Sequence, residues 1–350
     1  QARCAGGADR GRRAELLRAR RQPGSAFKPF VYGYALHTKR FTAATLLELP
    51  ASRDGKLEAR RISLRLALSR SDNAAAERLL SEVGADGVVG WAHASGIESR
   101  LEPTPSLALG AYEVTPLEAA NSYATFASGG QFAAPVLVTK VVGPDGKELV
   151  LPAPPPARRV MNEDEAYLLT SLLSSVVKEG TATRALSLAR PLAGKTGTTN
   201  EAKDAWFIGY STDLVCAVWV GFDDALPLGW GESGATTALP GWIELMKNAH
   251  DKKPATDFPR PPSLISARID PASGLLARSD QEDGRDELFL EGTVPTEVAD
   301  GGVDAAPEID AGQPVDPEAM QAGVPAAEPA VVPDAEVTGD AGPSPELPPF

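Results

Sequence analysis

Three short clusters in this 350-residue chain carry side chains suited to acyl transfer. Ser25-Ala26-Phe27-Lys28 sets a hydroxyl and an amine three residues apart, a spacing that shares one face of a helix. A serine hydroxyl is a weak nucleophile until a base takes its proton. Lysine can be that base only as a neutral amine, and burial or a neighbouring cation lowers its pKa. Lys195, in Lys195-Thr196-Gly197-Thr198, is the candidate cation. Ser71, in Ser71-Asp72-Asn73, can pass a proton between Lys28, Lys195 and a leaving amine, while Asn73 can orient Lys28 or a substrate amide. The ammonium and hydroxyls of 195–198 suit a substrate that ends in a free carboxylate, and Gly197 admits a close backbone. A serine at a helix start also aims backbone N–H groups at a developing oxyanion.

None of the clusters is decisive alone. Ser175-Val176-Val177-Lys178 matches the first pattern equally well, but it lies inside an apolar helical stretch and reads as structural. A lone Ser-Asp-Asn is usually a turn or a helix cap, and a lone Lys-Thr-Gly a strand end. Order and setting raise their weight. Ser25 follows Pro23-Gly24 and opens a helix, and Lys195 lies on a strand followed by two more.

The elements that must position these residues are legible in outline. A helix is expected over Ser25–Leu36, with Pro29 tolerated near its start. Residues 61–94 read as helix in pieces, broken at Ser71-Asp72-Asn73 and at Gly84. Thr115 with Glu118, and Asn162 with Glu165, are capping boxes that open helices running to about Ser128 and Lys178. A hairpin is expected from Val136–Val142 and Lys147–Leu151 around Gly143–Gly146, and a second around Asp270–Gly274. Strands are expected at Leu192–Thr198, Ala205–Ser211 and Leu214–Phe222, the last two paired antiparallel, followed by a helix over Trp242–His250. The aromatic residues Trp206, Phe207, Tyr210 and Trp219 on those strands read as core. Helices and an antiparallel sheet in separate runs predict an α+β fold.

Composition narrows the classes. The net charge is −13, but Gly302–Phe350 hold ten acidic residues and no Lys or Arg, leaving about −3 for the rest. Nothing there points to nucleic-acid binding. Cys4 and Cys216 make no disulfide framework, and Cys216, in the apolar run 214–218, is expected to be buried and inert. His37, His93 and His250 have no metal-ligand spacing, and no cofactor motif is present. The first 21 residues carry seven Arg with no apolar stretch after them. Residues 1–20 therefore read as an irregular Arg-rich segment, 21–297 as the folded domain, and 298–350 as a disordered acidic Pro/Ala-rich tail with no specific partner.

The trio in this order is the known signature of penicillin-binding proteins and serine β-lactamases. The segment from Arg21 to Phe30 resembles the nucleophile segment of class A penicillin-binding proteins. Lys195–Asn200, Asp204–Tyr210 and Val218–Gly221 resemble their third motif and its two following strands, and Pro105–Gly110 and Glu113–Glu118 resemble the family's middle region. This resemblance, over roughly 20–295, implies an antiparallel sheet flanked by helices with an all-helical subdomain. It implies a DD-transpeptidase that cross-links peptidoglycan stem peptides, with some D-Ala-D-Ala carboxypeptidase character, in the periplasm. Ser25, Lys28, Ser71, Asn73 and Lys195 would be catalytic, Thr196, Gly197 and Thr198 would bind substrate, and the N–H groups of Ser25 and Thr198 would form the oxyanion hole. β-Lactams would acylate Ser25. Members of that family also carry a strand pair before the nucleophile helix, a glycosyltransferase domain and a membrane anchor. Gln1–Arg20 do not resemble that pair, which predicts a fold incomplete at its N-terminus, with any anchor in a longer parent. A serine β-lactamase is the nearest alternative, yet between Asn73 and Lys195 the closest approach to its Glu-x-x-Leu-Asn loop is Glu118-Ala119-Ala120-Asn121. A non-catalytic β-lactam or peptidoglycan sensor, or an inactive fragment, is the other.

Overall fold

The computed structural model describes residues 19–51 and 58–299. Ser25 lies in a 3-10 turn, Gly24–Phe27, which runs into helix α1, Lys28–His37. The expected α-helical start at Ser25 is thus a tighter turn. Pro29 has no N–H to offer the Ser25 carbonyl, which accepts instead from the Lys28 N–H. Helix α1 is apolar on nearly every side and is buried almost throughout, as a central helix must be.

A pair of short antiparallel strands follows, β1 (Leu46–Leu49) and β2 (Arg60–Ser63). The sequence reading has no strands here. Each is four residues long, too short for its alternation to stand out. Ser63 caps α2 (Leu64–Ser69), and Asp72 caps α3 (Asn73–Val83) by accepting from the Ala75 N–H at 2.9 Å. Helix α4 (Ala85–Ser95) begins after Gly84 and ends at Gly96 in the left-handed region. Both expected helix breaks are present. Capping boxes open α5 (Pro116–Ala127) and a later helix, Glu163–Lys178, at the expected residues.

Strand β3 (Gln131–Phe132) precedes a hairpin of β4 (Val141–Val142) and β5 (Glu148–Leu149), and pairs with β6 (Arg158–Arg159) beyond it. The hairpin turn falls where expected, but only two residues pair on each side. Val136, Leu137, Val138 and Val150 are exposed, and no layer covers them to extend the ladder. Helix α6 (Glu163–Lys178) leads to the principal sheet: β7 (Ala193–Thr198), β8 (Asp204–Tyr210) and β9 (Val215–Gly221), all antiparallel. A π-helical turn at Gly234–Ala238 precedes α7 (Leu239–Ala249), which packs on β8 and β9. Helix α6 lies along β7, and α5 along β8 and β9. The layering is α+β.

At the C-terminal end, Asp270–Gly274 does form a tight turn, with the Gly274 N–H donating to the Asp270 carbonyl at 2.8 Å. The expected hairpin around it forms over a short stretch: Ile269 bridges Leu276, the Asp270 N–H donates to the Leu275 carbonyl and the Ala277 N–H to the Arg268 carbonyl, both at 2.9 Å. Strand β10 (Ile265–Ile269) also pairs along its length with β11 (Arg285–Phe289), a partner that the sequence reading lacks. Trp206, Phe207 and Tyr210 are fully buried, whereas Trp219 and Cys216 are half-buried because β9 is the less covered strand. Among the described residues, no helix is long and apolar enough to cross a membrane, and no cluster of His, Cys, Asp or Glu could hold a metal ion. The acidic run from 302 and residues 1–18 lie outside the described residues.

Candidate active site

The turn that carries Ser25 is held by backbone contacts from three directions. The Gly24 N–H donates to the Gly110 carbonyl at 3.3 Å. Gly24 has φ +54°, and a β-carbon there would stand 2.5 Å from the Thr198 carbonyl oxygen. A β-carbon on Gly110 would come within 2.2 Å of the Gly24 carbonyl oxygen. On either side, the indole N–H of Trp206 donates to the Gln22 carbonyl at 2.9 Å, and the Tyr123 hydroxyl donates to the Ala26 carbonyl at 2.7 Å. Arg21 lies 4.8 Å over the Trp219 ring and 3.9 Å from the buried Asp204 carboxylate. The nucleophile candidate is therefore wedged between β7 and the 105–110 turn.

Four of the five candidate catalytic residues meet in one network. The Lys28 amine donates to Asn73 Oδ1 at 2.6 Å, to the Ser71 carbonyl at 2.5 Å and to Ser71 Oγ at 3.3 Å. The Lys195 amine donates to the same Ser71 Oγ at 2.8 Å and to the Thr196 carbonyl at 3.1 Å. Ser71 therefore stands between two lysines contributed by distant segments. It does so with φ +61°, in the left-handed region that costs a non-glycine residue about 1 kcal/mol or more. Ser25, three residues before Lys28 in the chain, is half-buried, and its hydroxyl makes no hydrogen bond among the described residues.

Both lysines are fully buried. Burial pushes the Lys28 amine down to about 7, against the pull of Asp72 and Glu77. Burial, and then the charge of Lys28, hold Lys195 well below the usual lysine range. Two buried amines that share one hydroxyl repel as cations, so the pair loses a proton far below pH 10. Asp72 also pairs with Arg60 of β2, which ties the cap of α3 to the strand pair before it.

The remaining motif residues are engaged by the fold. Thr196 Oγ1 lies 2.8 Å from Thr181 Oγ1 and 3.3 Å from the Lys195 amine. Thr198 Oγ1 accepts from the Gly234 N–H at 3.0 Å. At Gly197 a β-carbon would stand 2.3 Å from the Pro23 carbonyl oxygen and 3.1 Å from the Ala26 β-carbon. The close approach visible at this glycine is that of the nucleophile segment itself. Because the Thr199 N–H bonds to Asp204 on β8, strand alternation turns the Thr198 N–H to the other edge of β7, where Gly24 lies.

A model of the penicillin binding protein transpeptidase domain matches residues 7–238. The chain belongs to the penicillin-binding protein transpeptidase family. A second model, of the penicillin-binding protein 1A C-terminal domain, matches residues 260–302. Penicillin-binding protein 1A of Pseudomonas aeruginosa is 34% identical over 369 residues, covering 86% of this chain and 45% of the relative. That of Aquifex aeolicus is 38% identical over 294 residues, covering 80% and 40%. The chain thus spans less than half the length of these curated relatives. Among solved structures, penicillin-binding protein 1A from Haemophilus influenzae matches with a TM-score of 0.73 at 31% identity, covering 81% of this chain and 50% of that one. PonA1 from Mycobacterium tuberculosis in complex with penicillin V matches with a TM-score of 0.60 at 26% identity, covering 70% and 73%.

Within this family fold, several positioning residues had no signal that a single sequence could isolate. Thr181, Tyr123, Gly110 and Gly234 reach the site only through tertiary contacts. Ser175, of the duplicate Ser-x-x-Lys pattern, is buried and accepts from Arg65 at 2.8 Å, while Lys178 is exposed at the end of α6. Glu118 closes its capping box and also accepts from the Glu98 and Ser99 N–H groups and the Ser99 hydroxyl. It is a structural carboxylate.

Proposed function

We propose that this chain is a serine-type D-Ala-D-Ala transpeptidase domain that cross-links peptidoglycan stem peptides through an acyl-enzyme on Ser25. One observation carries the reading. Lys28 is buried, lowered to about 7, and hydrogen-bonded to both Asn73 and Ser71. As a neutral amine it spends its two N–H donors on those oxygens and keeps a lone pair for the Ser25 proton.

Ser25 Oγ attacks the carbonyl carbon between the two D-alanines while Lys28 takes its proton. The oxyanion forms between the N–H groups of Ser25 and Thr198. The proton passes from Lys28 through the Ser71 hydroxyl to the leaving nitrogen, the C–N bond breaks, and D-alanine departs. An amine of a neighbouring stem then attacks the ester, giving its proton back along the same path and restoring the Ser25 hydroxyl. Water in place of that amine gives carboxypeptidase turnover. Lys195, Thr196, Gly197 and Thr198 would receive the terminal carboxylate of the donor. A β-lactam presents the same carboxylate and carbonyl and acylates Ser25. The substrates place the reaction in the periplasm. Glu118, the sequence's nearest approach to a lactamase water-holding glutamate, is occupied in its cap, which favours a long-lived acyl-enzyme over a lactamase.

The test is labelling with a fluorescent penicillin, followed by intact-mass spectrometry. The wild-type chain should take up one equivalent and hold it for many minutes, and Ser25→Ala should take up none. Rapid turnover would indicate a lactamase. Absence of label on a folded wild-type chain would overturn the proposal in favour of a non-catalytic module.

A further inference from the structure

We infer that Glu287, on β11 of the C-terminal module, is a positioning residue for Ser71, acting through Arg65. The inference rests on the reading of the site given above. Arg65 stands on α2, which ends at Ser69, two residues before Ser71. All five of its N–H donors are used. Nε and one terminal nitrogen grip the Glu287 carboxylate at 2.6 and 2.5 Å. The other donors reach the Ser171 carbonyl at 3.0 Å, Ser175 Oγ at 2.8 Å and Ser171 Oγ at 3.1 Å on α6. Glu287 is buried, and among the described residues Arg65 is its one side-chain cation partner; both oxygens of this carboxylate, which lies outside the transpeptidase match, accept from the arginine fork. The module is seated close by: a β-carbon on Gly274 would stand 2.7 Å from the Ala44 carbonyl oxygen, and Ala44 packs with Ile269 and Phe289. Ala43 in turn accepts from the Arg65 N–H at 3.1 Å.

The far end of α2 is fixed by different contacts. The Ser69 carbonyl accepts from the Thr181 N–H at 3.2 Å, and Gly180 lies so near it that a β-carbon would come within 2.2 Å. Helix α2 is therefore set between the C-terminal module at its start and the 180–181 turn at its end. Ser71, in its strained left-handed conformation, inherits that setting, because its N–H bonds to Leu68 and the Asp72 N–H to Ala67, both on α2. A planar, bidentate arginine pair fixes orientation as well as distance, which a single lysine contact would not. The C-terminal module is thus a brace for the proton relay.

The test compares the wild-type chain with Glu287→Gln, with the milder Arg65→Lys, and with Arg285→Ala. The last removes only the looser contact between the module and Glu179, at 3.8 Å. Hydrogen exchange is read on peptides spanning 64–76 and on peptides of β8, and penicillin acylation is read across pH. Glu287→Gln and Arg65→Lys should each raise exchange in 64–76 several-fold while leaving β8 protected. Each should slow acylation at least tenfold and move its pH midpoint downward, since an ammonium on Lys28 would lose Ser71 as an acceptor. Arg285→Ala should change neither. Unchanged exchange in 64–76 in a folded Glu287→Gln or Arg65→Lys chain overturns the inference, as does an equal effect of Arg285→Ala. Failure of the wild-type chain to label would defeat the acyl-enzyme reading instead, and the exchange result would still decide the brace.

Discussion

The carbonyl oxygen of Pro23 occupies the space in which a β-carbon on Gly197 would stand, 2.3 Å away. The segment that delivers Ser25 and the strand that delivers Lys195 are pressed together at the one residue of the third motif that has no side chain. Gly197→Ala should therefore push these segments apart. Overpacking of this kind costs about 1–3 kcal/mol. A melting temperature several degrees lower, measured by calorimetry, with acylation at least tenfold slower in the folded protein, is the expected outcome. Unimpaired acylation would show that the contact yields without moving Ser25.

The acylation rate should rise with pH through a midpoint near 7, the value to which burial lowers Lys28. Below that pH the amine is protonated and has no lone pair for the Ser25 proton. The same shift has a sign in stability. Between about pH 7 and the unfolded lysine value near 10.4, the unfolded chain binds a proton that the folded chain does not, so this site makes the fold more stable as pH rises across that window. Lys195, lowered in the same direction, adds to the slope. Lys28→Arg, which cannot lose its proton, should not acylate at any pH in a stopped-flow assay.

Asn73→Ala removes an acceptor 2.6 Å from the Lys28 amine. The charged amine loses more by this than the neutral one, because hydrogen bonds to charged groups are the stronger. The pH midpoint of acylation should fall, by about one unit for a loss near 1.4 kcal/mol. The rate at its plateau should also drop, since the amine is no longer aimed. An upward shift of the midpoint would contradict this role for Asn73.

Ser71→Gly separates the hydroxyl from the backbone it sits on. Glycine relieves the left-handed strain, worth about 1 kcal/mol, and gives up the hydrogen bonds from Lys195 and Lys28, each worth about 0.5–1.5 kcal/mol. The melting temperature should hold within a few degrees. Transfer to an added amine acceptor should fall at least a hundredfold, because the proton path between Lys28 and the leaving nitrogen is cut.

Much of this protein was determined by its sequence alone. The breaks at Ser71–Asn73 and Gly84, the capping boxes at Thr115 and Asn162, and the three strands of the principal sheet follow from local chemistry that acts over a few residues. So does the order of the three motifs. The short pairs β1–β2 and β3–β6 were not legible, because two- and four-residue strands carry too little alternation and exist only through their partners. The turn at Asp270–Gly274 was legible and does join two paired segments, but the second partner of β10, β11, lies farther along the chain and has no local signal.

Tertiary structure alone decided how the candidate residues stand to one another. It set Ser71 between two buried lysines from segments far apart in the chain, and it lowered both amines by taking them out of water. It also made Ser175 a seat for Arg65 rather than a second nucleophile. A sequence specifies which groups can act, because chemical type is local. Which of them do meet depends on desolvation and on contacts between distant segments, and these exist only once the chain has folded.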